Sequence, residues 1–296
     1  MNWHGVLPAI TTPFTGDYEV DHDFLAKHVR IMIDAGSVGI VPLGSLGEGA
    51  TLSYDEKLAI LKTCVAAAGN DATIAPGVSS LSTSEACRLA RDAKDIGCKG
   101  LMVLPPYVYS TDWREMKAHV AAVMNATDLS CMLYNNPLAY ETDFIPEQIA
   151  ELAREHPNLH AVKESSCDIR RVTELRRLIG ERLDILVGID DVIVEGVAAG
   201  AVGWIAGLVN ALPEESVRLF ELARDGKHDE ARELYEWFLP LLRLDTGKTF
   251  VQKIKLAQER FGIGNARVRG PRLELAGEEL TAAEQVIAEA KENRPS

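Results

Sequence analysis

Cysteine is scarce in this chain and poorly spaced for chemistry. The five residues Cys64, Cys87, Cys98, Cys131 and Cys167 form no Cys-x-x-Cys pair, show no zinc-like spacing to histidine, and are odd in number. Neither a disulfide framework nor a structural metal is expected, and free thiols in a reducing cytoplasm fit best. Positive charge is also short: 31 Lys and Arg face 44 Asp and Glu, a formal net charge of -13. A nucleic acid or an anionic membrane would need a basic face, so neither is expected as a partner. An anionic substrate would have to be gripped by local donors such as backbone N–H groups. Long apolar runs are missing too, since no window reaches the ~18 uninterrupted residues of a membrane span. The start, Met1-Asn2-Trp3-His4-Gly5-Val6, has no basic segment followed by an apolar one. A cytoplasmic protein without a membrane segment is the expectation.

What is present is alternation. Short β-rich apolar runs occupy residues 6–12, 38–43, 73–78, 100–104, 129–134, 159–163, 184–188 and 201–206. Amphipathic stretches separate them, as in repeated βα units around a parallel sheet. Helix starts are marked by Asp21, by Ser53 with Glu56, and by Ser82 with Glu85 as capping boxes. Gly36, Gly69 and Gly97 sit where a helix would close in the left-handed conformation. Eight such units predict a (β/α)8 barrel, an α/β fold, over residues 1–225. A doubly wound open sheet is the alternative, but its Gly-x-Gly-x-x-Gly after the first strand is missing and Thr11-Thr12-Pro13-Phe14 stands there. Residues 226–296 read as an appended C-terminal helical segment, with helices near 228–243, 248–261 and 281–292. Its stripe Leu234, Trp237, Phe238, Leu241, Leu242 predicts core or subunit contact.

Barrels place their sites at the carboxyl ends of the strands, so polar residues just after each run are the candidates. Lys163 ends the sixth run, before Glu164-Ser165-Ser166. A lysine buried there loses hydration, which favours the neutral amine that attacks carbonyls; the bland alternative is a lysine that snorkels to water. Tyr134 ends the neighbouring fifth run, within reach for proton transfer. The second run leads into Gly44-Ser45-Leu46-Gly47-Glu48, whose glycines let backbone N–H groups turn towards a carboxylate; a plain loop would explain it as often. Gly188 and Ile205 are candidate pocket walls. Cys167 is expected to be a passive thiol, and Trp204 barrel packing. Arg170, Arg171, Arg176, Arg177, Lys253 and Lys255 are expected on solvated outer faces.

Taken together, these residues resemble one family. Thr11-Thr12-Pro13-Phe14, Gly44-Ser45-x-Gly47-Glu48, Tyr134-Asn135-x-Pro137, Val162-Lys163-Glu164-Ser165 and Val187-Gly188-Ile189-Asp190-Asp191 are similar to the motifs of the class I 2-oxo-acid lyases that group dihydrodipicolinate synthase with N-acetylneuraminate lyase. The resemblance spans nearly the whole chain. It implies a Lys163 Schiff base with C2 of a 2-oxo acid such as pyruvate, Tyr134 as proton shuttle, and Ser45 with the Leu46 N–H holding the carboxylate. It also implies a homotetramer acting on a small molecule, with no metal or organic cofactor.

The departures bear on the substrate. The synthases carry Thr-Thr where this chain has Ser45-Leu46, and Tyr-Tyr where it has Tyr107-Val108. The sequence leaves open whether Tyr107 or Tyr109 reaches a neighbouring subunit's site. They also carry an arginine two residues after the Tyr-Asn-x-Pro proline, where this chain has Ala139-Tyr140. Losing that bidentate clamp costs a few kcal/mol for a carboxylated aldehyde. Gly47, Tyr107 and Tyr140 join the candidate substrate contacts. The segments Tyr134 to Tyr140, Lys163 to Arg171 and Val251 to Leu256 resemble a catabolic branch, the 1-pyrroline-4-hydroxy-2-carboxylate deaminases of hydroxyproline breakdown. Their reaction takes a cyclic imine to 2-oxoglutarate semialdehyde. The synthase reaction, pyruvate aldolase and 2-keto-3-deoxy sugar acid dehydratase chemistry share the same first step, and a non-catalytic binding barrel is the remote alternative.

Overall fold

The computed structural model describes residues 1–108 and 112–295. Its strands are short and buried on both faces, as parallel strands covered by helices must be. They are β1 (Gly5–Pro8), β2 (Gly39–Ile40), β3 (Thr73–Ile74), β4 (Gly77–Val78), β5 (Gly100–Val103), β6 (Ser130–Asn135), β7 (Leu159–Glu164), β8 (Asp184–Val187) and β9 (Gly203–Ala206). Seven form one parallel sheet in the order β1-β9-β8-β7-β6-β5-β4, and β2 pairs with β3. The gaps are bridged by backbone hydrogen bonds, among them Val41 N–H to the Pro8 carbonyl at 2.8 Å and Gly77 N–H to the Pro42 carbonyl at 2.8 Å. A parallel bridge between Ala9 and Val41 closes the ring. β3 and β4 are two halves of one barrel strand, parted at Ala75-Pro76, where proline has no N–H for the ladder. The eight expected runs thus form a closed (β/α)8 barrel, and closure excludes the open doubly wound sheet.

The main helices are α1 (His22–Asp34), α2 (Tyr54–Ala68), α3 (Thr83–Ile96), α4 (Trp113–Asn125), the short α5 (Pro137–Tyr140), α6 (Pro146–Glu155), α7 (Arg170–Ile179), α8 (Ile193–Ala198) and α9 (Pro213–Arg224). Asp21 caps α1 by accepting from Phe24 N–H at 2.9 Å, and the Ser53/Glu56 capping box on α2 is complete. The capping box expected on α3 does not form. Ser82 lies at the cap position, but its hydroxyl sits 2.8 Å from that of Ser84, while Glu85 accepts from Ser80. Gly36 and Gly97 close α1 and α3 with φ of 104° and 110°.

Two arginines expected on a solvated face are structural. Arg171 grips Asp143 through two bonds of 2.6 and 2.7 Å, and Arg176 donates to the carbonyls of Gly180, Leu183 and Gly200. Arg171 satisfies an acceptor in the loop between β6 and α6, and Arg176 satisfies carbonyls in the loops before β8 and β9, demands that helix periodicity does not reveal. Arg170 and Arg177 do face solvent, at 91% and 65% side-chain exposure.

Beyond α9 come α10 (His228–Leu242), α11 (Phe250–Arg260) and α12 (Gly277–Glu292). Leu234, Phe238, Leu241 and Leu242 are buried in the same apolar cluster as the barrel, and Trp237 donates its indole N–H to the Ala290 carbonyl at 3.0 Å. The stripe is therefore core. Among the described residues no helix is long and apolar enough to cross a membrane. All five cysteines are unpaired, and Cys167 is exposed.

His28 on α1 is fully buried, its Nε2 3.3 Å from the Asn210 carbonyl, while Nδ1 has no partner among the described residues. Burial lowers its pKa from 6.5 to about 4, against the pull of that carbonyl. The unfolded chain then takes up the proton first, so stability is lost as pH falls from 6.5 towards 4, in total roughly 3 kcal/mol. Chemical denaturation at pH 7 and 4.5 should show a smaller acid loss for His28→Leu than for the wild type. Equal losses would assign the acid transition to other groups.

Candidate active site

Lys163 and Tyr134 are paired residues on adjacent strands β7 and β6. Parallel pairing puts the two side chains at one height on the barrel, at the carboxyl rim. Both are buried, and the Lys163 Nζ lies 4.0 Å from the centre of the Tyr134 ring. The Tyr134 hydroxyl accepts from Asn136 Nδ2 at 2.9 Å. Asn136 also caps α5 through Ala139 N–H at 3.0 Å, so the residue that fixes the phenol fixes the start of the next turn.

That turn brings in Tyr140, which contacts Ser45 hydroxyl to hydroxyl. Its ring stands edge-on to Tyr134, with centres 5.7 Å apart, and lies 4.7 Å from Tyr107. Burial first, then the neighbouring Tyr134 phenol, pushes the Tyr140 pKa well above the usual tyrosine range, with Ser45 opposing. Ser45, Tyr140 and Tyr134 thus form a cluster of neighbouring hydroxyl-bearing side chains beside Lys163. Sequence reasoning placed Tyr140 as a substrate contact but did not foresee its contact with Ser45. Tyr109 lies outside the described residues.

Gly188 follows β8 and is there for space. A Cβ at this position would fall 2.0 Å from Ser165 Oγ and 2.5 Å from Lys163 Cε, so any side chain would displace the amine. Gly47 is comparably tight, with a Cβ 2.9 Å from the Ile10 carbonyl, and its own carbonyl accepts from Thr12 Oγ1 at 2.6 Å. Leu46 is buried at 4% exposure. Ile205 on β9 is buried opposite Leu7 in the strand register and contributes apolar wall.

Two carboxyls were given no role from the sequence, Asp190, which stands in the motif after Gly188, and Asp245. Asp190 is fully buried and accepts from the Trp204 indole at 2.9 Å, from Gly207 N–H at 3.1 Å and from Leu208 N–H at 2.7 Å. Burial raises its pKa to about 6, opposed by these donors and by the charge of Lys163. Trp204 is therefore barrel packing, as expected, and also the donor that holds Asp190. Asp245, just after α10, packs its carboxyl against Gly207, where a Cβ would meet Oδ1 at 2.2 Å. Burial, and then the Asp190 charge, lifts its pKa well above the carboxylate range, and Lys163 again opposes. Asp190 could have been found from its place after Gly188 at the rim. Asp245 carries no local signal.

Lys255 corrects the expectation of a solvated face. Its side chain is 2% exposed and lies 2.6 Å from Glu48, which is 0% exposed. Burial lowers its pKa to about 8, against the raising effect of Glu48.

A closed parallel barrel with a buried amine and a phenol at its carboxyl rim defines a class I lyase. The chain belongs to the dihydrodipicolinate synthetase family, whose model matches residues 2–290. A 4-hydroxy-tetrahydrodipicolinate synthase of Rhizobium meliloti is 34% identical over 269 residues, covering 91% of this chain and 92% of the relative. One from Methanococcus maripaludis strain C5 is 31% identical over 272 residues, covering 92% and 93%. Among solved structures, the dihydrodipicolinate synthase of Acinetobacter baumannii complexed with pyruvate superposes with a TM-score of 0.93 at 26% identity, over 98% of this chain and 99% of that one.

Proposed function

We propose that Lys163 forms a Schiff base with C2 of a 2-oxo acid or of its cyclic imine, that Tyr134 shuttles the protons, and that Ser45 with the Leu46 N–H holds the carboxylate. The observation that carries this reading is the Lys163 amine 4.0 Å from the Tyr134 ring on the neighbouring strand. Gly188 leaves room for the adduct, and Ile205, Tyr107 and Tyr140 wall the pocket. The pyruvate bound by the Acinetobacter relative supports the same ligand class here. A cytoplasmic homotetramer is part of the reading; Val108 and Leu138, 56% and 65% exposed, are apolar surface that a second copy would cover.

Of the reactions that share this first step, two have specific support. The names of the relatives favour condensation of pyruvate with an aldehyde, as in 4-hydroxy-tetrahydrodipicolinate synthase, and none of those names supports deamination. The pocket's own residues favour a cyclic imine. Ala139-Tyr140 replaces the expected arginine, Tyr140 is committed to Ser45, and Arg171 is committed to Asp143. In that reaction Lys163 attacks the imine carbon of 1-pyrroline-4-hydroxy-2-carboxylate and the ring opens. The 4-hydroxyl leaves as water, a second water hydrolyses the resulting C5 imine and releases ammonia, and a third hydrolyses the lysine Schiff base; the net change is uptake of one water and release of one ammonia, giving 2-oxoglutarate semialdehyde.

A substrate panel separates the two, because the shared imine step leaves the second substrate undetermined. Ammonia and semialdehyde from the cyclic imine should outpace condensation of pyruvate with aspartate semialdehyde. Faster condensation would assign the synthase reaction instead.

A further inference from the structure

The Glu48–Lys255 pair joins the loop after β2 to α11, two positions 207 residues apart, and both side chains are buried. Lys255 Nζ also donates to the Arg267 carbonyl at 2.6 Å and lies 4.4 Å from the centre of the Phe14 ring. Glu48 accepts from Arg269 N–H at 2.9 Å with its second oxygen. Buried pairs of this kind gain little net stability over apolar side chains of the same size, so stability alone does not account for it. Geometry does. Glu48 sits in the left-handed region at φ 53°, a conformation unfavourable for a residue with a side chain. Its N–H donates to the Ser45 carbonyl at 3.1 Å, Gly49 N–H donates to that of Gly44 at 3.2 Å, and Gly47 is tied to Thr12. An inward pull on the Glu48 carboxylate therefore holds the whole turn that presents Ser45 and Leu46 to the barrel mouth.

We infer that Lys255 is a positioning residue: acting through Glu48, it sets the Ser45-Leu46 turn to receive the carboxylate of the 2-oxo acid. This role presupposes the Schiff base at Lys163, and the test keeps the two apart. Borohydride trapping of the pyruvate adduct, followed by mass spectrometry across a range of pyruvate concentrations, yields a half-saturating concentration and a maximal trapping rate. Lys255→Met should raise the half-saturating concentration about tenfold or more, the equivalent of one lost charge-assisted contact, and leave the maximal rate within about threefold. The double variant Lys255→Met/Glu48→Gln removes the unpaired buried charge. Its melting temperature should return towards wild type while half-saturation stays raised, because the turn has still lost its tie. It decides the matter even if the single variant does not fold. Recovery of stability and half-saturation together would reduce the pair to a structural tie and overturn the inference, as would an unchanged half-saturation in Lys255→Met. A wild type that gives no adduct with pyruvate or the cyclic imine overturns the Schiff base itself, and the positioning role with it.

Discussion

Lys163→Ala should bring turnover to background and abolish the borohydride-trapped adduct. The step requires an amine that can attack C2 and hold the carbon as an imine, and no weaker version of that covalent bond exists. Lys255, which is also buried, is bonded to Glu48 and to the Arg267 carbonyl. Folding should survive, since alanine fits the space and Asp190 keeps its bonds from Trp204, Gly207 and Leu208. Lys163→Arg serves as the control. It keeps a positive charge near Asp190 and Asp245, and a guanidinium forms no imine under these conditions, so it should be equally inactive. Peptide mass mapping after trapping reads the result. An adduct that persists on another peptide, or turnover that survives in both variants, would remove Lys163 from the chemistry.

Tyr134→Phe should separate rate from stability. The ring stays, so packing against Lys163 and Tyr140 is kept. Asn136 Nδ2 loses its acceptor, which costs on the order of 1 kcal/mol. The proposed proton shuttle is removed, and removal of a general acid–base group slows reaction by ~10²- to 10⁴-fold. A melting curve close to wild type together with a loss of that size in kcat is the expected pair of results. Trapped adduct should still accumulate, more slowly, because the amine is intact. Near wild-type turnover in a folded variant would make Tyr134 a pocket wall and leave proton transfer to Ser45 and Tyr140.

Most of the rim was legible because a barrel converts order along the chain into position in space. Gly188 directly follows β8, Tyr134 and Lys163 stand one residue before the ends of β6 and β7, and Ser45 lies in the loop after β2; closure of the parallel ring brings all strand ends to one side. Reading each run and its next few residues was enough to gather them. Local pattern did less well at helix starts and faces. Ser82 with Glu85 has the spacing of a capping box, yet Ser80 and Ser84 compete for the same hydroxyl and carboxyl and win.

The sequence by itself determined the alternation of strands and helices, the caps of α1 and α2, and the strand ends from the third run onwards to within one residue, whereas β1 and β2 stop at Pro8 and Ile40, short of the expected Thr12 and Leu43. These depend on periodicity and on contacts within a few residues. Only the tertiary structure decided that Tyr140 reaches Ser45 across 95 residues, that Asp245 packs on Gly207 beside Asp190, and that Lys255 faces Glu48. Helix α11 shows why. Ile254, Lys255, Leu256, Ala257 and Gln258 are all buried, because the helix is covered on several sides and no single apolar stripe tells Lys255 from Lys253. Such partners meet through the tilt and phase with which whole elements pack, quantities that no short stretch of sequence carries.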